Sequence, residues 1–278
     1  MTKRARGGEF PELDEPESEL DWDEVVDVIC VGTDPGPTAQ AISGVQCGRR
    51  VLAVLRPQTW DVDTAAYIAE MTADLTLPES RVHFPLTHAR PAESEPARGR
   101  VIDTFIGAHL RDWAAHCWAS PFGVLYTDPF DIDTTPMIAA DGLRIEAAVV
   151  GTYRPDQPLT DWLRAQARDH DVQPDPGVAL QRLIIEYGRV AGAEFTTSSG
   201  PLLVRALDGV ALPTPQAETD AAQPDLGAVE LEVAIVGRPA GRFGHVELLG
   251  RVGLGRVGLG RVELGRVGLG CVGVAEGE

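Results

Sequence analysis

The sequence lacks basic clusters and long apolar runs, and each absence excludes a class of partner. Its 24 lysine and arginine residues stand against 42 aspartate and glutamate residues, so the formal net charge is −18. An acidic chain without a basic patch does not attract nucleic acid or an anionic membrane surface, so we expect neither as a partner. No apolar run reaches the ~18 residues that span a bilayer, and the N-terminus has no apolar signal-peptide core, so we expect no transmembrane segment.

Cysteine is scarce, and its four copies are scattered along the chain. Cys30, Cys47, Cys117 and Cys271 form no C-x-x-C pair, so the sequence indicates neither a structural zinc site nor a disulfide framework. This cysteine usage fits a reducing compartment, and it predicts a cytoplasmic location.

The six histidines do not predict a metal site. His83 and His88 lie five apart around a proline, and His109 and His116 lie seven apart in a predicted helix. Neither pair has the i, i+4 spacing that places two imidazoles on one helix face for zinc. We therefore predict packing or surface roles for these residues and no bound metal.

The chain divides into an acidic arm, a folded body and a repetitive tail. Residues 9–27 hold ten acids and no base, which is typical of a solvated, disordered segment, so we assign the arm to 1–23. The alternative is that the arm docks on a basic partner. Residues 250–278 repeat a unit R-V-G/E-L-G whose glycines are costly to order, so we predict a disordered low-complexity tail. The folded body is assigned to 24–249.

Apolar runs and helical periodicities alternate within the body. Continuous β-branched runs predict buried strands at 25–32 and 49–55, and apolar spacing predicts a helix between them at 37–47. The helix predicted at 62–75 is opened by Asp61 or Asp63, and further helices are predicted at 101–120 and 159–172. The other predicted elements are a strand at 123–127, a polar loop at 89–99, a hairpin at 137–153, a β-meander at 180–212 with turns at Gly188, Ser199-Gly200 and Asp208-Gly209, and two further strands at 229–237 and 242–249. Together these elements predict an α/β, Rossmann-like FAD/NAD(P)-binding fold with a central parallel sheet, an inserted β-meander and disordered ends.

Residues 26–56 have the strand–turn–helix–strand order that binds a dinucleotide, but the turn reads G-T-D-P-G-P in place of G-x-G-x-x-G. A working turn needs glycines for close approach, free N–H groups at the helix N-terminus and an acid after the second strand. Counting from Gly32, the second and third glycine positions hold Asp34 and Pro37, and Leu55 replaces the acid. We expect the Asp34 carboxylate to repel phosphate and proline to remove backbone donors, so tight cofactor binding is predicted to be lost.

The same stretch resembles the N-terminal FAD-binding motif of the flavoprotein superfamily that includes fumarate reductase and 3-ketosteroid dehydrogenase. The family pattern is a D-V-V-V-V-G-S-G-A-A-G-like turn, a helix ending in glycine and a strand ending in glutamate. The positions that fit are Asp27, Val28, Ile29, Val31, Gly32, Gly48, Val51, Leu52 and Val54. A second segment, 183–214, is similar to the family's β-meander. There the flavin-facing glycines are replaced by Pro213, Thr214 and Pro215.

The resemblance implies a cofactor site on the turn and at the end of the second strand, and it implies FAD as the cofactor if any is bound. This vestigial site consists of Gly32, Thr33, Asp34, Gly36, Leu55 and Arg56. We also expect the loops at 33–37 and 213–216 to lie close together at one edge of the crevice. No position takes over the family's catalytic residues, so the catalytic residues and the substrate stay unassigned.

Two functions follow from these observations. The first is a degenerate FAD-dependent oxidoreductase-like protein, a pseudoenzyme that acts as a non-catalytic interaction or accessory protein with a protein partner. The alternative is an active FAD- or NAD-dependent oxidoreductase with an atypical nucleotide loop, completed by a partner subunit.

Overall fold

The computed structural model describes residues 20–77, 86–92, 106–129, 134–140, 142–215, 229–239 and 241–251. These residues form a thirteen-stranded sheet with four α-helices packed on it. The repeat tail after Arg251 and the acidic arm before Leu20 lie outside the described residues, so the disorder of both ends stays a prediction.

The helices are α1 (Pro35–Gln46), α2 (Val62–Thr72), α3 (Ile106–Trp118) and α4 (Leu159–Asp169). The strands are β1 (Glu24–Val26), β2 (Val28–Val31), β3 (Val51–Leu55), β4 (Leu86–Pro91), β5 (Gly123–Tyr126), β6 (Thr135–Ala139), β7 (Arg144–Tyr153), β8 (Asp175–Glu186), β9 (Arg189–Thr197), β10 (Gly200–Ala206), β11 (Val210–Pro213), β12 (Leu231–Gly237) and β13 (Phe243–Arg251).

The prediction of a Rossmann-like α/β fold with a central parallel sheet is wrong. Strand is the dominant element, and most neighbours in the order β1-β10-β9-β8-β3-β2-β11-β5-β13-β12-β7-β6-β4 are antiparallel. Parallel pairing around β2 is confined to β8–β3, β3–β2 and β2–β11. Strand β13 also pairs with β4, so β13, β12, β7, β6 and β4 close a five-stranded barrel.

The sequence predicts strands at 137–153, 229–237 and 242–249, but it does not predict that they close into a barrel with β4. Strand β12 pairs in antiparallel fashion with both β7 and β13, so these strands form an antiparallel three-stranded unit instead of another strand–helix–strand unit. Strand β4 closes the barrel although half of its residues in L-T-H-A-R-P are polar. The sequence predicts a polar loop from residue 89 onward, whereas the strand continues to Pro91.

Several local predictions are confirmed. Strands β2 and β3, which precede and follow α1 in the chain, are parallel neighbours as predicted. The strand predicted at 25–32 is divided at Asp27, however, and its first part is β1, which pairs with β10. Asp61 caps α2, because its carboxylate accepts hydrogen bonds from the backbone N–H groups of Asp63 and Thr64. The meander from β8 to β11 turns at Gly188 and Gly209, which have φ angles of 77° and 88° that favour glycine.

The sheet is buried on both faces where it carries the helices. Val28 and Cys30 of β2 enter an apolar cluster with α1 and α4, and the alternate residues Ile29 and Val31 enter a second cluster with α3 and the meander. A third cluster fills the barrel with Ala89, Met137, Ile145, Ala147, Ala234, Val236 and Leu249. None of the helices described is long and apolar enough to span a membrane.

Candidate functional site

The predicted cofactor turn follows β2 and begins at Gly32. This glycine has a φ of 99°, and its N–H donates to the carbonyl oxygen of Val54 at 2.8 Å. A Cβ at Gly32 would lie 2.7 Å from Oδ2 of Asp34. The Asp34 carboxylate therefore lies against the first glycine of the turn, where it repels an approaching phosphate.

Helix α1 begins with few free donors. A helix leaves its first backbone N–H groups without intrahelical partners, and a phosphate at a helix N-terminus binds to these groups. Pro35 and Pro37 have no N–H, and the Thr38 N–H donates to the Asp34 carbonyl oxygen at 3.0 Å. Among the first four residues of α1, this leaves the Gly36 N–H as the donor that faces no intrahelical partner and is not removed by proline.

Gly36 is buried against strand β5. A Cβ at this position would lie 2.2 Å from the carbonyl oxygen of Gly123 and 2.8 Å from its carbonyl carbon. The missing side chain thus lets the protein's own backbone approach the start of α1. The Gly123 carbonyl oxygen carries a partial negative charge and lies near the positive N-terminus of α1. It therefore weakens the attraction of this helix end for an anion.

Strand β11 returns to this turn at Pro213 and Thr214. Pro213 Cγ lies 3.6 Å from the place of a Cβ on Gly32, and Arg56 Nη1 donates to the carbonyl oxygen of Thr214 at 3.3 Å. The buried Thr214 hydroxyl donates to the carbonyl oxygen of Ser120 at 2.6 Å. The predicted closeness of the two loops is confirmed for the described residues by the contact of Pro213 with Gly32, and hydrogen bonds attach the second loop to Arg56 and Ser120.

A cavity of about 310 Å³ opens at the carboxyl ends of β2 and β3. Three of the predicted site residues, Gly32, Thr33 and Leu55, line the cavity, and Arg164 and Arg168 of α4 line it as well. Leu55 is 38% exposed and ends β3 at the position where a ribose-binding acid is expected. The predicted site residues that do not line the cavity are Asp34, Gly36 and Arg56.

The residues of this crevice do not fit the diphosphate of FAD. The two arginines supply positive charge, but Arg164 is paired with Asp161 at 2.9 Å. The turn itself supplies a carboxylate and prolines where the cofactor needs N–H donors. No step of flavin chemistry is therefore assigned to this site.

A second group of polar side chains lies where α3 covers the barrel. His245 and Glu247 of β13 are both buried, and His245 Nδ1 is 2.9 Å from Glu247 Oε1. The other ring nitrogen, His245 Nε2, is 2.6 Å from the hydroxyl of Ser120, which also accepts the Phe122 N–H at 3.1 Å. The imidazole is thus oriented by a hydrogen-bonding group at each nitrogen.

The Glu247 carboxylate is held in its charged form. Burial raises its pKa, but the charge of His245 and the hydrogen bonds from His245 and Thr87 outweigh burial, so the pKa lies below its ordinary value. The Thr87 hydroxyl donates to Glu247 Oε2 at 3.0 Å. Each carboxylate oxygen therefore faces a partner.

The cluster opens into a cavity of about 630 Å³ at the mouth of the barrel. His116 of α3 lines this cavity together with Glu247, and its ring centroid is 4.8 Å from that of His245. The ring of His116 also stacks on Trp113 with centroids 5.8 Å apart. One ligating atom from each of His116, His245 and Glu247 lies within 4.8 Å of the others. Such a group can bind a cation or move a proton.

The sequence predicts neither His245 nor Glu247 as a site residue. Their signal is modest: two polar residues, two apart, in the otherwise apolar run F-G-H-V-E-L-L. Alternation of this kind places both side chains on one face of a strand. Ser120 and His245 are 125 positions apart, so only the folded chain brings the cluster together.

No protein-family model matches the chain, and no curated protein matches its sequence. Similar solved structures include the 3-ketosteroid-delta4-(5alpha)-dehydrogenase of Rhodococcus jostii, at 17% identity over 69% of this chain and 46% of that chain, with a TM-score of 0.30. The myxobacterial chondrochloren halogenase, a variant of FAD-dependent halogenases, has 16% identity over 66% of this chain and 36% of its own, with a TM-score of 0.26. The amino acid oxidase NikD has 13% identity over 65% and 50% of the two chains, with a TM-score of 0.24.

The structural neighbours thus include FAD-dependent enzymes at low identity. The chain spans about half the length of these proteins, or less. TM-scores of this size describe a partial likeness, and they carry no argument about the activity or cofactor of this chain.

Proposed function

We propose that this chain is a flavoprotein-like protein that does not bind FAD tightly and acts as a non-catalytic interaction or accessory protein. The observation that supports this most is the start of α1, where two prolines remove N–H donors and the Gly123 carbonyl packs against Gly36. A diphosphate at a helix N-terminus depends on those donors. Without them, the crevice has no strong attachment point for a dinucleotide.

The charge of Asp34 acts in the same direction. A pair of unit charges about 4 Å apart at an effective dielectric near 20 interacts by ~4 kcal/mol, and a carboxylate beside a phosphate has the repulsive sign. A penalty of that size weakens affinity roughly a thousandfold. Leu55, at the end of β3, adds no ribose hydrogen bond to offset it.

An exposed apolar surface supports the interaction role. Tyr187 and Leu207 are 66% and 54% exposed, and they line the same shallow cavity. The rim of that cavity includes the ion pair between Arg189 and Asp128, at 3.2 Å. Apolar contacts rimmed by polar groups are typical of partner surfaces, and the net charge of −18 favours a partner with basic side chains.

The alternative function is an active FAD- or NAD-dependent oxidoreductase that a partner subunit completes. The cavity beside Gly32 favours it, because Arg164 and Arg168 bring two cations to the ends of the strands. In this alternative the arginines offset the Asp34 charge and bind the phosphates from the α4 side.

Titration with FAD separates the two functions. We expect no saturable binding to the wild-type chain at micromolar FAD, and a gain of binding in the triple variant Asp34→Gly, Pro37→Gly, Leu55→Glu. Asp63→Gly, an exposed acid on α2, is the matched control and should gain nothing. Tight binding by the wild type would support the alternative, and a triple variant that gains no affinity would contradict the argument from the turn.

A further inference from the structure

We propose that His116, His245 and Glu247 form a binding site for a divalent zinc-class metal ion at the mouth of the barrel. The cavity at this site shares no lining residue with the cavity beside the nucleotide turn. A test of metal binding is therefore independent of the proposed loss of FAD binding. The proposed site also departs from the sequence prediction of no metal, which rested on histidine spacing along a helix.

The spacing of the donor atoms matches a shared ion. Zinc binds imidazole nitrogen and carboxylate oxygen at about 2.0–2.2 Å, so two donors at angles between about 90° and 110° are about 2.8–3.6 Å apart. His245 Nδ1 and Glu247 Oε1 are 2.9 Å apart, close to the lower end of that range. The donor atoms of the three residues lie within 4.8 Å of one another, so a small turn of the half-buried His116 ring brings its nitrogen into range.

The residues that hydrogen-bond to the two ligands on β13 also support a metal site. Metal-binding histidines donate their second ring N–H to a hydrogen-bond acceptor, and metal-binding carboxylates are themselves hydrogen-bonded. Here Ser120 Oγ lies 2.6 Å from His245 Nε2, and the Thr87 hydroxyl donates to Glu247 Oε2 at 3.0 Å. When an ion is bound, His245 is neutral and carries its proton on Nε2, so the lone pair of Nδ1 faces the ion in place of the hydrogen bond to Glu247.

The cavity gives the ion open coordination positions. Two histidines and one carboxylate leave at least one position of a tetrahedral ion for water or another ligand. The cavity of about 630 Å³ begins at His116 and Glu247, so small molecules have access to that position. As a carboxylate ligand, Glu247 supplies negative charge that offsets part of the charge of the cation.

The competing interpretation is a hydrogen-bond network without a metal. In that arrangement Ser120 donates to His245 Nε2, and His245 Nδ1–H donates to Glu247, so every polar group is satisfied by the protein alone. The network then only fastens α3 and the following loop to β13. This interpretation predicts no affinity for zinc, so a binding measurement decides between the two.

The test uses the full chain, stripped of metal by a chelator and titrated with Zn²⁺ by calorimetry, with Co²⁺ as a spectroscopic probe. His116→Gln is the main variant, because His116 is only half-buried and the fold is expected to survive its replacement. His109→Gln is the matched control, because His109 is on the same helix and lines the same cavity but is not in the cluster. Melting curves without metal verify that both variants are folded.

We expect one Zn²⁺ per chain, a loss of affinity of about tenfold or more in His116→Gln, and no comparable loss in His109→Gln. The Co²⁺ spectrum should show nitrogen and oxygen ligation without a thiolate charge-transfer band, which excludes the cysteines. Absence of Zn²⁺ binding would overturn the proposal in favour of the metal-free network. Binding that is unchanged in His116→Gln, or a cobalt–thiolate band, would overturn it by placing the ion elsewhere.

Discussion

Replacing Gly36 by alanine tests how closely the start of α1 packs on the sheet. The new Cβ would lie 2.2 Å from the Gly123 carbonyl oxygen and 2.9 Å from Val124 Cβ. The nearest obstacle is backbone, and β5 is held by hydrogen bonds to β11 and β13. The helix therefore has to shift, because the strand cannot yield without breaking its pairing.

Two opposing effects determine how much Gly36→Ala changes the free energy of unfolding. Overpacking a well-packed site costs typically 1–3 kcal/mol, and the rigid backbone obstacle puts this case near ~3 kcal/mol. Alanine returns at most about 1 kcal/mol through its higher helix propensity. The net loss in the free energy of unfolding is then about 2 kcal/mol, which lowers the melting temperature by about 4–8 °C in a protein of this size.

Thermal melting followed by circular dichroism measures this loss, and Gly44→Ala is the matched control. Gly44 lies in the same helix, but a Cβ there would meet a methyl group of Val51 at 2.8 Å instead of backbone. Since that methyl can move, we expect the control to melt close to the wild type. If Gly36→Ala is as stable as Gly44→Ala, then α1 does not pack on Gly123, and the argument that the chain occludes its own helix N-terminus fails.

Two further predictions concern the buried core. Thr64 is fully buried, and its hydroxyl accepts a hydrogen bond from the Leu183 N–H at 3.0 Å. Thr64→Val should lower the free energy of unfolding by about 1–3 kcal/mol, because it leaves that donor unpaired. Thr64→Ser keeps the hydroxyl and should keep most of the stability, and urea unfolding measures both variants. Burial raises the pKa values of the Cys30 and Cys117 thiols well above the ordinary value. Alkylation at neutral pH with peptide mapping should therefore label half-buried Cys47 in the native protein, and Cys30 and Cys117 only after unfolding. Labelling of Cys30 in the native protein would contradict the described core.

The local structure of the chain was predictable because its signals are local. Apolar runs fix β2 and β3, the Asp61 carboxylate fixes the start of α2, and glycine marks the turns of the meander. These features depend on residues a few positions apart, which is the range over which periodicity and capping act. The missing N–H donors at Pro35 and Pro37 were visible for the same reason, because proline has no N–H group wherever the helix packs.

The barrel and the polar cluster were not predictable, because they depend on contacts between distant segments. Strand β4 pairs with β13, and its sequence has neither the alternation nor the β-branched content of a buried strand. His116 reaches His245 only through the docking of α3 on β13. The packing of the Gly123 carbonyl on Gly36 is equally hidden, since a glycine in a sequence does not reveal which backbone approaches it.

The visible absorption spectrum of the purified protein tests the central claim most directly. The full chain is expressed in flavin-replete cells, purified without added cofactor, and its spectrum is recorded before and after unfolding. The account predicts no flavin band in the native protein and no free flavin released on unfolding. A stoichiometric flavin band in the native protein, with free FAD released on unfolding, would contradict the claim that this turn no longer holds the cofactor.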